Sequence, residues 1–145
     1  MANEVLLVKA EDTDNCDLLS SLLQDSIFHI SCHSFHDDKR CLRLMLNRFC
    51  WESIDDFEQN QCYFRVHSGL YIHNVDSIVV NDNFKNINEK FLNLLTMHTT
   101  KNEVNLVFSD HKHVCVRIDK IQIYLKDLHD KYPTLTRPVH DALRT

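Results

Sequence analysis

Several stretches of this chain alternate apolar and polar residues with a period of two, and that alternation limits the possible folds more than any other feature. Leu42, Leu44 and Leu46 recur at every second position, and so do Val104, Leu106 and Phe108, then Val114, Val116 and Ile118. Between them, Phe64, Val66, Leu70 and Ile72 fall on one side of a further run. Successive side chains of an extended chain point to opposite faces, so each run predicts a strand with one face turned to a core. Strands that succeed one another through short connections favour an antiparallel sheet, because parallel pairing needs long crossovers.

The opposite faces carry different chemistry. Cys41, Arg43, Met45, Asn47, Phe49 and Trp51 project away from the leucines, and Tyr63, Arg65, His67, Tyr71 and His73 do so in the run at 62–73. Paired as neighbours, the two strands put arginine beside aromatics, a mixture able to stack a base, a nucleotide or a peptide side chain. The alternation reads as failing at Arg48, which falls on the leucine face, so either the strand ends there or a bulge re-aims the next side chains.

Other elements come from local signals. Residues 5–8 read as a short strand, and Glu11-Asp12-Thr13-Asp14 supply acceptors and negative charge for the start of a helix over 13–24, striped by Leu18, Leu19, Leu22 and Leu23. Strands are expected at 27–32, 75–80 and 91–97, with a hairpin turn at 109–113. Ile121, Tyr124, Leu125 and Leu128 have i, i+3, i+4, i+7 spacing and predict a second helix over 119–131, stopped by Pro133. The expected fold class is α+β: a mainly antiparallel meander sheet of about seven strands, an N-terminal strand-helix unit and a C-terminal helix. That is also the element order of pleckstrin-homology-like barrels. One domain is expected over 1–131, with an irregular tail over 132–145.

At 145 residues the chain can bury a core without metal or disulfide staples. One glycine and two prolines leave its turns to Asp, Asn, Ser and His, and exclude Gly-rich phosphate loops. The formal charge of −5 repels phosphate, so a nucleic-acid role needs a local basic face. Six cysteines without a Cys-x-x-Cys pair, no secretory signal and no long apolar run point to a cytoplasmic chain with free thiols and no membrane span. No cofactor is implied.

Two clusters invite enzymatic readings. His29, Cys32, His33 and His36 offer zinc-compatible donors, yet on a strand His29 and His33 face away from Cys32. Cys50 lies between Arg48 and Glu52, where the cation favours a thiolate and the carboxylate opposes it. His111-Lys112-His113 reads as an exposed hairpin tip. Arg48 and Glu52 are placed to pair with each other or with Arg137, His140 and Asp141, as a latch or a ligand site.

The blocks Leu23-Gln24-Asp25-Ser26, Leu44-Met45-Leu46-Asn47-Arg48-Phe49-Cys50-Trp51-Glu52 and Arg65-Val66-His67-Ser68-Gly69-Leu70 carry a resemblance over nearly the whole chain. They are joined by Val104-Asn105-Leu106-Val107-Phe108, by Ile121 with Leu125-Lys126-Asp127-Leu128, and by Arg137-Pro138-Val139-His140-Asp141. Together they resemble the family termed domain of unknown function 2948, small stand-alone bacterial proteins. The pattern departs at Cys50, where an acidic residue is usual, and at His111 to His113, where glycines are usual. The resemblance implies no activity, cofactor or substrate. It leaves Asn47, Arg48, Trp51, Glu52, Arg137, His140 and Asp141 as the candidate binding group.

The leading expectation is a non-catalytic interaction or binding module whose partner is another protein. The alternatives are a binder of single-stranded nucleic acid or nucleotides through Arg43, Tyr63, Arg65 and Tyr71, and a metal-dependent or thiol enzyme.

Overall fold

The structure, a computed structural model, describes residues 5–53, 63–85, 90–134 and 138. Among the described residues ten strands and one α-helix succeed one another in chain order: β1 (Leu7–Ala10), α1 (Thr13–Leu23), β2 (Ser26–His36), β3 (Cys41–Phe49), β4 (Tyr63–Ile72), β5 (Val75–Val80), β6 (Phe91–Thr99), β7 (Glu103–Phe108), β8 (His113–Ile118), β9 (Ile123–Asp127) and β10 (Tyr132–Thr134). The expected antiparallel pairing holds throughout, but the fold class does not. The protein is mostly β, with ten strands in one sheet instead of about seven, and the C-terminal helix expected over 119–131 is instead the strand β9. A pleckstrin-homology-like plan, which requires that helix, falls with it.

The reason lies in two patterns superimposed on one segment. Ile121, Tyr124, Leu125 and Leu128 have helical spacing, but Ile121, Ile123 and Leu125 also alternate, and these three are buried while Leu128 is exposed. β-Branched isoleucines beside tyrosine suit a strand. The alternation continues to the buried Asp127, whose charge makes the inward position look like a surface one in sequence. Residues 132–134, expected to begin an irregular tail, lie along β4 as β10.

Strand order across the sheet is β1-β9-β4-β3-β2-β6-β7-β8-β5, with β10 on β4. β4 and β5 are joined only by His73 and Asn74 yet lie far apart in that order, so the sheet curls back on itself. Arg40 holds the junction: its Nε donates to the Val75 carbonyl oxygen (3.0 Å), and its Nη2 reaches Asp76 and Asp119. The interior of the curl is filled by Leu44, Leu46, Leu70, Leu92, Leu106, Phe108, Val116, Ile123 and Leu125. Leu19 and Leu23 of α1 join this core, while Leu18 of the expected stripe points to solvent. Asp12 caps the helix, its carboxylate accepting from the Asn15 backbone N–H at 2.8 Å.

The scarcity of glycine is visible in the turns. Left-handed backbone falls on Asp25, Arg40, Asn74, Asp110 and His111, with φ between 49° and 63°. The single glycine serves another purpose. Gly69 leaves room for the Tyr71 ring to lie against the backbone; a Cβ there would stand 2.7 Å from the Tyr71 hydroxyl and 2.8 Å from two ring carbons.

Gly69→Ala must lift that ring, and we expect it to lower stability by about 1 kcal/mol in urea unfolding. In a Tyr71→Leu background the same change should cost little, a coupling that a double-mutant cycle measures.

Candidate functional site

Arg48 does not end its strand. β3 pairs with β4 without interruption from Leu42 opposite Ile72 to Phe49 opposite Arg65, and Arg48 is the next inward residue after Leu46. Its side chain is fully buried, so its five N–H donors must find partners inside the protein. The Asp127 carboxylate of β9 accepts from Nε at 3.3 Å and from Nη2 at 2.9 Å. Glu52, in the short 3-10 turn Trp51–Ser53 after β3, accepts from Nη1 at 2.9 Å and from Nη2 at 2.8 Å. Ser68 of β4 donates its hydroxyl to Asp127 at 2.6 Å, so one guanidinium links three adjacent strands and the turn.

The electrostatics are a consequence of this geometry. Burial opposes the charge on Arg48, but the two carboxylates outweigh it and hold the guanidinium protonated. Burial likewise pushes the Glu52 carboxyl up, and the hydrogen bonds and charge of Arg48 overcome it, leaving the carboxyl below its ordinary range. The Cys50 thiol, also buried, is pushed up to about 11: burial is the main cause, Glu52 and Asp127 add to it, and Arg48 offsets only part. It is a poor nucleophile at neutral pH.

Of the pairings expected for Arg48, the one with Glu52 is present; its second carboxylate, Asp127, was hidden by the helical reading of its segment. Both Ser68 and Asp127 lie in sequence blocks that carry the family resemblance, which was the available signal. Arg137, His140 and Asp141 lie outside the described residues. Asn47 donates from Nδ2 to the Tyr132 hydroxyl at 2.8 Å. Trp51 is half-buried, its indole N–H donating to the Gln24 carbonyl oxygen at 2.8 Å and its ring set edge-on to Phe49. It ties the end of α1 to the end of β3. A cleft of about 680 Å³ opens beside this group, lined in part by Cys50, Glu52, Phe64, Asp127 and Lys131.

The other side of the same strands carries a different set. Register aligns Arg43, Tyr71, Tyr124 and Lys9 across β3, β4, β9 and β1, and the next row is Met45, Gly69, Lys126 and Leu7. Arg43 lies over the Tyr71 ring at 5.7 Å and Lys9 over Tyr124 at 5.5 Å. The outward positions of these four strands carry Lys9, Arg43, Arg65 and Lys126 and no carboxylate. Met45, at the β3 end of its row, is 41% exposed. Tyr63 and Arg65 belong to a separate cluster at the far end, where Arg65 lies over Phe49 and donates to the Asn47 carbonyl oxygen at 3.1 Å.

The histidine and cysteine candidates do not converge. His29 accepts from or donates to Ser31, and His33 reaches the Ile30 carbonyl oxygen. Among the described residues no three His, Cys, Asp or Glu side chains are placed to hold a metal ion. In the β7–β8 turn His111 is exposed, but Lys112 is buried, its ammonium 2.7 Å from Asp110. Among the described residues no helix is long and apolar enough to cross a membrane.

The model of the family described as protein of unknown function, DUF2948, matches residues 6–140, and the chain belongs to that family. No curated protein and no solved structure matches it.

The Arg48 group leads to two expected outcomes. Arg48→Met strands Asp127 without its cation and should cost about 3–5 kcal/mol in chemical denaturation, whereas Arg48→Met with Asp127→Leu should recover much of the loss. Because the folded-state value of Glu52 lies below the unfolded one, its contribution is present above about pH 4.3 and disappears as pH falls through the folded value. The wild-type urea midpoint should therefore drop more steeply in acid than that of Glu52→Gln.

Proposed function

We propose that the protein is a non-catalytic binding module and that its working surface is the outer face of β1, β9, β4 and β3, docking an acidic segment of another protein. The observation that carries this reading is Met45, exposed on β3 at one end of a face whose four strands carry only cationic charged side chains on their outward positions. Methionine, tyrosine and arginine are the residues enriched where proteins meet. A basic face on a chain of net charge −5 favours one sign of partner and speeds its approach.

Arg48 and Glu52 serve this surface from behind, while Asn47 lies on it, its Nδ2 donating to the Tyr132 hydroxyl. Arg48, out of reach of solvent, fixes β3, β4 and β9 relative to one another, and so fixes the rows that those strands present outward. The nucleic-acid alternative needs free ring faces for stacking. Tyr71 and Tyr124 already carry Arg43 and Lys9 over theirs, which favours a protein partner.

Immobilised wild type should retain a stoichiometric acidic protein from bacterial lysate at low salt, lose it as salt rises, and lose it at all salts with Met45→Glu. Leu18→Glu, on the exposed side of α1, should behave as wild type. Equal recovery by wild type and Met45→Glu, or retention of oligonucleotide in place of protein, would overturn the proposal.

A further inference from the structure

Inside the curl, away from the outer face, the sheet leaves a gap. β2 pairs with β6 only from Ser26 to His29, with one further bond from the Ile30 N–H to the Lys90 carbonyl oxygen. Beyond that point β2 has β3 on one side and, among the described residues, no strand on the other. β5, the last strand of the sheet order, pairs among the described residues only with β8. Between these two unpaired edges lies a cavity of about 410 Å³. Leu44, Leu106 and Phe108 are among its buried walls, and Phe35, Ile78 and Val80 stand at its mouth, 37–52% exposed.

Close packing is the rule in protein interiors, and a space of this size far exceeds an ordinary packing defect. Its lining excludes two kinds of occupant. An ordered water needs two to four polar partners, and among the described residues His33 is the one polar side chain in the lining. A charged group inside would lose its hydration with no opposite charge to meet, since among the described residues the lining holds no Asp, Glu, Lys or Arg. What remains is an apolar body with any polar end kept at the mouth. The volume falls in the range of about 300–1,000 Å³ usual for small-molecule sites, and is well above the about 150 Å³ that accommodates a benzene ring.

We propose that this cavity is a binding site for a medium-length aliphatic chain bearing a hydroxyl or carboxylate end. The tail enters between β2 and β5 and packs against Leu106 and Phe108. The polar end stays near His33, whose Nδ1 is engaged with the Ile30 carbonyl oxygen at 2.8 Å and whose Nε2 is left to meet the ligand. Residues at the mouth control access, because Ile78 and Val80 of β5 turn toward the cavity while Val79, between them, is not part of its lining.

Methyl-resolved NMR titration with decan-1-ol and with decanoate tests the site directly. Shifts should concentrate on Ile78, Val80, Leu44 and Leu106 and leave Leu7 and Met45 unmoved, which separates this site from the outer face. Ile78→Glu should weaken binding at least about tenfold, since a carboxylate at the mouth opposes entry of the chain, and Val79→Glu should bind as wild type. Tighter binding of one probe than the other identifies the preferred end group. No shift with either probe up to its solubility limit, or equal binding by Ile78→Glu and wild type, overturns the proposal. So does sedimentation showing a dimer of the free protein that Ile78→Glu makes monomeric, because a second copy would then cover the mouth.

Discussion

A single buried guanidinium organises this fold. Arg48 sits where another leucine would continue the row Leu42, Leu44, Leu46, and the interior accepts it because it donates four hydrogen bonds to two carboxylates. Only arginine fits this place. Its planar fork spans two carboxylates approaching from different directions, whereas a lysine ammonium is a point charge that cannot reproduce both forks. Asp127 brings β9, Ser68 brings β4, and Glu52 brings the turn after β3, so one side chain determines how three strands align at that end of the sheet. Such a group is weak evidence for stability in itself, since desolvation offsets most of the attraction. Its value is geometric: strands sliding by two residues, which keeps each side chain on its face, would leave buried carboxylates without their cation.

The consequence reaches the opposite surface. In a sheet, side chains alternate faces, so fixing the inward row fixes the outward one. Arg43, Met45, Tyr71, Tyr124 and Lys9 owe their alignment to the same registers that bring Arg48 to Asp127. Gly69 adds a detail that only a glycine allows. Where most chains place glycine in turns, here Asp25, Arg40, Asn74, Asp110 and His111 take the left-handed positions, and the one glycine lets an aromatic ring lie flat on the strand.

Alternation made most strands legible in the sequence, including the pairing of β3 with β4 and the hairpin of β7 and β8. It failed where an inward position carries charge. Arg48 read as an interruption of the leucine row, and Asp127 read as the polar face of a helix, because a pattern of hydrophobicity records burial only when the buried groups are apolar. The two misreadings are one physical event, since each residue is buried by virtue of the other. Trp51 illustrates a different limit. Alternation carries it onto the outer face of the strand, whereas it opens the 3-10 turn after β3, and whether its indole faces solvent depends on α1, which supplies the Gln24 carbonyl from across the chain. The length of the sheet was also beyond reach. β1 and β9 extend it past β4, and β10 adds to the same edge of β4, through pairings between distant segments such as Leu7 with Lys126 and Tyr132 with Arg65.

The curl explains why the two sides of the sheet differ so much in chemistry. A sheet that returns on itself has an inner surface shielded from water and an outer one that is not, so the apolar halves of the alternating runs collect inside. The return is held at the junction of β4 and β5 by Arg40 with Asp76 and Asp119, at the surface, and the strands diverge from there. Closure on this plan is complete only if β2 keeps a neighbour along its whole length. Among the described residues β6 reaches it as far as His29, and side chains of β5 and of the outer part of β2 face each other across the remaining space. The opening is therefore a product of strand lengths, with its apolar lining dictated by the same alternation that built the core.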